Sequence, residues 1–188
     1  MWYFGCRAYH ITTIPNYHST VSKEHHYTIT TRWTGNLGSG TLDYRAYKRD
    51  HLIGADGKQS TIEGSSDPVF RGDKSRYNPE ELFVSSISAC HMLWYLHLAA
   101  VNDIVVLEYE DHAEGIMQEG QDGSGHFTSI TLRPHVKIAV PTAPNEREAG
   151  GATQVQRATE LHAEAGEKCF IANSVRAPIT YEPEVKQA

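Results

Sequence analysis

Two cysteines and one carboxylate have the residue types and positions expected of a thiol-based reactive site. Cys90 lies in the middle of a long apolar stretch, residues 82–101, which contains no glycine, proline or charged residue. Cys169 lies near the end of a later helical pattern, and Glu80 stands just before the apolar stretch. A thiol reacts as its thiolate, which burial alone disfavours and a neighbouring cation stabilises. A reactive Cys90 therefore needs a positively charged side chain from elsewhere in the protein beside its sulfur.

The simplest interpretation of Cys90 is an inert one, because free cysteine is among the most buried residue types. A second cysteine on another helix raises the odds of a reactive dithiol pair. Among the arginines that precede the apolar stretch, Arg45, Arg49 and Arg76 are the candidates for this cation. An arginine beside the sulfur, held in place by a carboxylate such as Glu80, is the arrangement that activates a thiol.

The apolar stretch is predicted to be a helix that begins at Asn78. Asn78 is a favourable N-cap, Pro79 suits the first turn, and Glu80 and Glu81 place negative charge at the positive end of the helix dipole. Apolar residues fall on every side of this helix, which predicts that it is enclosed on every side. Its length of about 20 residues also suits a membrane span. Serines, histidines and the cysteine lower its hydropathy, so we interpret it as the central helix of a soluble protein.

The flanking segments indicate an α+β fold with an antiparallel sheet. A glycine-rich turn predicts an early hairpin, and a long polar connection over residues 54–76 leads from it to the central helix. A second helix is predicted from the spacing of apolar residues over 155–169. The predicted strands cover 27–33, 41–47, 104–117, 126–140 and 177–182.

Composition limits the class of protein. A chain of 188 residues is long enough for one domain, which we place at 23–188, with 1–22 as a poorly ordered N-terminal extension. The net charge of −6 argues against nucleic acid as a partner. Three cysteines without a CxxC pair indicate neither a disulfide scaffold nor a zinc site. With no apparent signal peptide, we expect a cytoplasmic protein that has no membrane partner.

The central motif resembles that of the OsmC and organic hydroperoxide resistance (Ohr) family. The resemblance is carried by Asn78-Pro79-Glu80-Glu81-Leu82, by the small residues that lead to Ala89-Cys90, and by the late Cys169 before a closing strand. It covers roughly residues 25–185. It implies the OsmC/Ohr-like fold, in which antiparallel sheets surround a central buried cysteine helix in an intertwined homodimer.

The resemblance also implies an activity. Family members are cysteine-based peroxidases that reduce organic hydroperoxides to alcohols without a metal, haem or other cofactor. On this resemblance Cys90 matches the peroxidatic cysteine, Cys169 the resolving cysteine and Glu80 the glutamate that orients an arginine. The Cys90 sulfenic acid would condense with Cys169 to a disulfide, and a dithiol reductant of the lipoyl type would reopen it.

Several positions depart from the family pattern. Leu37 stands where OsmC places an arginine, so on chemical grounds we assign the activating role to Arg45, with Arg49 and Arg76 as further candidates. Phe170 replaces the proline that commonly follows the second cysteine, and His91 replaces a phenylalanine after Cys90. The chain is thus expected to be a divergent OsmC-like protein.

Two further functional classes compete with a peroxidase. A cysteine hydrolase is conceivable because Cys90, His162 and Asn173 occur in papain-like order, but a papain-like nucleophile sits at a helix N-terminus and Cys90 does not. An OsmC-like protein that binds a small molecule without peroxidase turnover is the stronger rival, because a fold does not determine a function. The remaining histidines lack the close spacing of a metal site.

The spacing between Glu80 and Cys90 has a consequence for assembly. Ten residues of straight helix correspond to about 15 Å of rise, which a glutamate side chain cannot span. Either the helix begins after Glu80, or Glu80 reaches Cys90 from a partner subunit. The all-round apolar character of the helix favours the second alternative, an obligate homodimer with active sites at its interface.

Overall fold

The computed structural model describes the backbone of residues 23–140 and 144–188, and the side chains of 23–140 and 154–188. The extension expected at 1–22 lies outside the described residues. The helices are α1 (Pro79–Val101) and α2 (Pro144–Lys168), and short 3-10 turns occur at Pro68–Phe70 and Ala172–Ser174. The strands are β1 (Thr30–Trp33), β2 (His51–Gly54), β3 (Ile62–Gly64), β4 (Val106–Asp111), β5 (Glu114–Glu119), β6 (Gly125–Leu132), β7 (Pro134–Ile138), β8 (Ile179–Tyr181) and β9 (Glu184–Gln187).

In the described part of the chain these strands form three three-stranded sheets, with orders β1-β2-β3, β4-β7-β9 and β5-β6-β8. The pairings between earlier strands are antiparallel, whereas β8 runs parallel to β6 and β9 runs parallel to β7. The α+β class is confirmed. The sheet β1-β2-β3 is purely antiparallel, and the other two sheets are mixed.

The first hairpin differs from the prediction in its second strand. Residues 41–46 form turns and bends, and Tyr47 makes an isolated antiparallel bridge with Asn36. The strand that pairs with β1 is β2, with Trp33 opposite His51. The side chain of Asn36 holds this wide loop, because its Oδ1 accepts the backbone N–H groups of Gly38 and Gly40, each at 2.9 Å. The connection predicted over 54–76 also contains the short strand β3.

Each of the two long strands predicted after α1 is broken into two strands that belong to different sheets. The breaks fall between β4 and β5 and at Arg133, between β6 and β7. They are tied together, since Asp111 Oδ1 accepts the backbone N–H of Arg133 at 2.7 Å. The Arg133 guanidinium also binds Glu182 at 3.0 Å and Glu114 at 3.1 Å. This cluster marks the line along which the chain crosses between sheets.

The predicted start of α1 is confirmed by a capping box. The Glu81 N–H donates to Asn78 Oδ1 at 2.7 Å, and the Asn78 N–H donates to Glu81 Oε2 at 3.0 Å. These two bonds satisfy donors that a helix N-terminus leaves unpaired. The helix begins at Pro79 and therefore includes Glu80.

Within one chain, α1 is buried along a single stripe and not on every side. Its buried residues are Ile87, His91, Tyr95, Leu98 and Ala99. Leu93 and Val101, on other sides of the same helix, are 63% and 62% exposed. By length and composition α1 is apolar enough to cross a membrane, but its buried stripe packs in the core against α2 and β4. The described residues of one chain do not enclose α1 on every side, whereas the sequence had predicted full enclosure.

The helix α2 begins earlier than predicted and ends at Lys168, so that Cys169 directly follows it. It packs on α1 through Ala158, Leu161 and Ala165, which are fully buried. Together with α1 and the sheet β4-β7-β9 they form one hydrophobic core. A second core, centred on Ile87, lies between α1 and the sheet β5-β6-β8.

The sheet β1-β2-β3 has little cover among the described residues of the chain. All four residues of β1 are exposed. Large apolar side chains of this region are also exposed, with Ile29 at 66%, Ile62 at 43% and Trp33 at 42%. A three-stranded sheet needs a packed face to be stable. We therefore expect one face of this sheet to pack against another surface.

A buried histidine pair joins the two helices. Nε2 of His91 on α1 and Nδ1 of His162 on α2 lie 3.0 Å apart, and the residues are 0% and 1% exposed. Burial lowers the pKa of His91 to about 4, against a smaller opposing effect of Asp111. The pKa of His162 is lowered to about 3, mainly by burial and to a smaller extent by the charge of the neighbouring His91. Both imidazoles are therefore neutral at pH 7.

This pair predicts acid sensitivity. Its imidazoles have a pKa near 6.5 when unfolded, so between about pH 6.5 and pH 4 the unfolded chain binds protons that the native chain excludes. The free energy of unfolding should then fall as pH decreases through this window, by on the order of 2 to 4 kcal/mol at pH 5. Urea titrations at pH 7.5 and pH 5 measure this loss.

The matched variants are His162→Phe, which keeps a buried ring, and His97→Phe, which changes an exposed histidine of α1. The loss of stability between the two pH values should shrink in His162→Phe and stay at the wild-type value in His97→Phe. An unchanged loss in His162→Phe would show that the buried pair does not control acid stability.

Candidate active site

The structure brings the two predicted cysteines together. Cys90 is half-buried in the middle of α1, Cys169 is fully buried just after α2, and both are free thiols. Burial raises the pKa of Cys169 to about 11, and its hydrogen-bonding interaction with Cys90 raises it further in the same direction. Cys169 is therefore protonated at neutral pH, and Cys90 is the more accessible of the two sulfurs.

The turn that follows α2 holds the sulfur of Cys169. The backbone N–H of Ala172 donates to Cys169 Sγ at 3.3 Å, and the N–H of Asn173 donates to the Cys169 carbonyl at 3.0 Å. Phe170, which replaces the family's proline, points outward and is 68% exposed. The turn thus directs the sulfur toward α1 without a proline.

Tyr181 flanks the thiol pair, although the sequence gave it no role. Burial raises the pKa of Tyr181, and a thiolate at Cys169 or Cys90 would raise it further. Its ring packs so tightly on Gly166 of α2 that an added Cβ there would lie 2.8 Å from the phenol oxygen. A glycine inside the helical pattern of α2 was the available sequence signal, because such glycines often mark a close approach.

Glu80 is not brought to Cys90 within one chain. It lies in the first turn of α1 and lines a cleft of about 460 Å³ together with Ser88 and Asp111. The Ser88 hydroxyl donates to Asp111 Oδ2 at 2.5 Å. Because α1 is one continuous helix from Pro79, the alternative in which the helix begins after Glu80 is wrong. The separation of about 15 Å along the axis remains.

The three candidate arginines occupy different environments. Arg45 is exposed in the wide loop of the first hairpin. Arg76 forms an ion pair with Glu63 at 3.6 Å. Arg49 is half-buried, with its guanidinium 4.3 Å from the ring centre of Tyr44 and 4.2 Å from that of Tyr47. Its Nη2 is buried without a hydrogen-bond partner among the described residues. None of the three is paired with a cysteine among those residues.

The papain-like arrangement is not formed. His162 hydrogen-bonds to His91, and the Asn173 side chain donates to the Glu167 carbonyl at 2.9 Å, where it closes the end of α2. Neither residue is thus placed to serve Cys90 as a base. Over residues 23–140 and 154–188, no three histidine, cysteine or acidic side chains are gathered in a way that could hold a metal ion.

Comparisons with known proteins agree with this architecture. The family model described as OsmC-like protein matches residues 72–184, which include Glu80 and both cysteines of the pair. An OsmC-like protein of unknown function from Vibrio cholerae is 30% identical, with a TM-score of 0.72 over 86% of this chain and 100% of the other. A search of curated proteins finds no match.

Two structures of organic hydroperoxide resistance proteins share the fold at lower identity. The protein from Legionella pneumophila is 19% identical, with a TM-score of 0.54 over 87% of this chain and 99% of its own. The protein from Elizabethkingia anophelis is 19% identical, with a TM-score of 0.56 over 88% of this chain and 100% of its own. With the family model matching more than half of its length, the chain belongs to the OsmC family.

Proposed function

We propose that this chain is a thiol-dependent peroxidase that reduces organic hydroperoxides to alcohols. The observation that carries the proposal is the contact between two free cysteines, one half-buried and one fully buried, at the centre of an OsmC-family fold. Two proteins of similar fold are named organic hydroperoxide resistance proteins, which supports a role connected with peroxides.

The reaction divides between the two sulfurs. The Cys90 thiolate attacks the distal oxygen of the hydroperoxide, so that an S–O bond forms, the O–O bond breaks, and the alkoxide leaves as the alcohol after taking a proton. Cys169 then attacks the sulfenic sulfur. The S–S bond forms, and the sulfenic hydroxyl leaves with the Cys169 proton as water. A dithiol reductant, for which we propose a lipoyl-type group, reopens the disulfide by exchange.

A cleft that begins two turns before Cys90 on α1, and that neither cysteine lines, suits an organic substrate. Phe83, two turns before Cys90 on α1, packs on Phe127 with ring centres 4.8 Å apart. The two rings line a cleft of about 860 Å³ together with Val175 and Pro178, which follow the turn after Cys169. Apolar walls of this kind bind an alkyl or aryl group better than they bind hydrogen peroxide.

A homodimer supplies what a single chain lacks. Among the described residues of one chain, three requirements are unmet: apolar sides of α1 are exposed, the sheet β1-β2-β3 is uncovered, and Glu80 is too far from Cys90. A second copy that lays its first hairpin and the start of its α1 against Cys90 would meet all three. We therefore propose that Glu80 and the activating arginine reach Cys90 from the partner subunit.

A small-molecule binding protein is the second candidate. Within one chain no arginine is paired with Cys90 among the described residues, and the cleft beside Phe83 and Phe127 is large enough for a ligand. If the dimer also leaves Cys90 without a cation, the fold would bind an apolar molecule and not turn it over.

The first test is a steady-state assay with cumene hydroperoxide and hydrogen peroxide, using dihydrolipoamide or thioredoxin as reductant. We expect turnover with dihydrolipoamide and a preference for cumene hydroperoxide. Cys90→Ser should abolish the reaction. Cys169→Ser should stop after one equivalent and accumulate a sulfenic acid, while Cys6→Ser should keep wild-type turnover.

Mass spectrometry after one equivalent of peroxide should show a Cys90–Cys169 disulfide in the wild type. A stable, unlinked Cys90 sulfenic acid would remove Cys169 from the mechanism. Absence of turnover with every reductant, together with saturable binding of the peroxide or its alcohol, would favour the binding protein.

The second test identifies the arginine. We propose Arg45, and the buried, unpartnered Nη2 of Arg49 makes that residue the rival. Arg45→Ala should slow the attack on peroxide at pH 7 by at least about tenfold, because roughly 1.4 kcal/mol of thiolate stabilisation would be lost. Stopped-flow measurement should also show part of the rate returning at pH 9. Arg76→Ala is the matched control, and slowing by Arg49→Ala alone would transfer the role to Arg49.

The third test asks whether the site is shared between chains. Glu80→Gln and Cys90→Ser chains are unfolded together and refolded as a mixture. In a shared site, the mixed dimer contains one site with both Cys90 and Glu80 intact, so turnover should rise above that of either variant alone. The control mixes Cys90→Ser with Cys169→Ser, whose sulfurs meet within one chain, and should gain nothing. No gain with Glu80→Gln would contradict the exchange of Glu80 between subunits.

A further inference from the structure

The histidine pair lies beside the thiol pair and outside the proposed chemistry. His91 directly follows Cys90 on α1, and His162 lies two turns before Cys169 on α2. One hydrogen bond of 3.0 Å between the imidazoles therefore connects the two segments that carry the sulfurs. Tyr181, which flanks both thiols, stacks on His91 with ring centres 4.6 Å apart.

Among the described residues, side-chain hydrogen bonds tie α1 to α2 at two places. At the far end, Arg157 of α2 donates to Oδ1 of Asn102, which caps α1, at 3.0 and 3.2 Å. The second is His91–His162, about 16 Å closer to the start of α1. Two separated ties fix the angle between two helices, whereas one leaves them free to pivot. The histidine tie is the one next to the sulfurs.

The His91–His162 hydrogen bond joins the two helices at a cost in free energy, because it buries polar atoms. The rings are stacked among aromatic side chains, with Tyr95 3.9 Å from His162 between ring centres. Nδ1 of His91 and Nε2 of His162 have no hydrogen-bond partner among the described residues. An apolar pair of equal size would avoid the cost of burying unpaired polar atoms. What a hydrogen bond adds is direction, since it is made in only one relative placement of the two helices.

The placement matters because a disulfide has narrow geometric limits. The two Cα atoms must lie within about 7 Å of each other, with their Cβ atoms directed inward. The side chains through which α2 packs on α1 are Ala158, Leu161 and Ala165, and the two small alanines permit the helices to slide. A shift along the helix axes would separate Cys90 from Cys169 before it broke the hydrophobic contact.

We propose that the His91–His162 hydrogen bond is a positioning link that holds Cys90 and Cys169 in the geometry from which they close to a disulfide. The inference deepens the proposed function, in which this closure is the second step, and concerns that step alone. The link acts through the helices and does not itself react. Its loss lowers the effective concentration of one thiol at the other.

The test measures that effective concentration without peroxide. In a Cys6→Ser background, the dithiol and disulfide forms are equilibrated in dithiothreitol buffers at pH 7, and the fraction oxidised is read by mass spectrometry. Compared with the same chain with both histidines, His91→Phe and His162→Phe should each lower the equilibrium constant for closure by about tenfold, which is about 30 mV. The double variant should lose no more than either single one, because both changes remove the same bond.

Two further variants separate positioning from packing. His162→Asn keeps a donor and an acceptor near the position of Nδ1 and should retain a value close to that of the unsubstituted chain. His97→Phe, at an exposed histidine of α1, should leave it unchanged. If a phenylalanine variant does not fold, His162→Leu measured beside His162→Asn gives the same comparison.

The proposal would be overturned if the equilibrium constant for disulfide closure in folded His91→Phe and His162→Phe equalled that of the chain with both histidines. This holds even if both variants unfold at a lower temperature. Additive losses in the double variant would also overturn it, because they would assign the effect to ring volume. Peroxide reactivity is measured separately. A chain that shows the shift in closure but does not react with hydroperoxides would refute the proposed function and leave the positioning link intact.

Discussion

The packing of α1 on α2 is the contact on which the other features of this protein depend. It is made through Tyr95 and Leu98 of α1 and through Ala158, Leu161 and Ala165 of α2, and Cys169, which directly follows α2, is completely buried beside it. The same packing raises the pKa of Cys169, because the thiolate would lie in a region of low polarity next to another sulfur. Helix packing thus decides which sulfur is a protected thiol and which one meets a substrate.

The sheets serve this helix pair from two sides. The sheet β4-β7-β9 covers the half of α1 that follows Cys90, and β5-β6-β8 covers the half that precedes it. The chain passes from one sheet to the other at Asp111 and Arg133, where backbone and side-chain bonds hold the crossing. Cys90 therefore lies where the two cores meet, a position at which small shifts of either core change the environment of the sulfur.

The features that sequence predicted best are local. The start of α1 at Asn78 rests on a cap four residues long, and the helical pattern around Cys90 needs no distant partner. The α+β class follows from the order of elements. The pairing of Cys90 with Cys169 in a disulfide was expected from a family resemblance and stays a prediction, while the structure places the two free thiols within reach of an interaction.

The features that sequence missed depend on contacts between distant segments. Apolar alternation continues through Ile130 and Leu132 to Val136, so one long strand was predicted, although Pro134 was a sign of the break. The second strand of the hairpin was misplaced because the side chain of Asn36 holds residues 36–40 in turns. No periodicity shows that His91 meets His162 or that Tyr181 packs on Gly166.

The parallel pairing of β8 with β6 and of β9 with β7 has a consequence for biosynthesis. Each of these two sheets receives its last strand from the final residues of the chain, and Tyr181 belongs to one of those strands. When Cys90 and the rest of α1 have left the ribosome during synthesis, the strands β8 and β9 have not yet been made. The half-made chain thus exposes an unprotected sulfur on an apolar helix, and that sulfur is covered only once β8 and β9 have been synthesised.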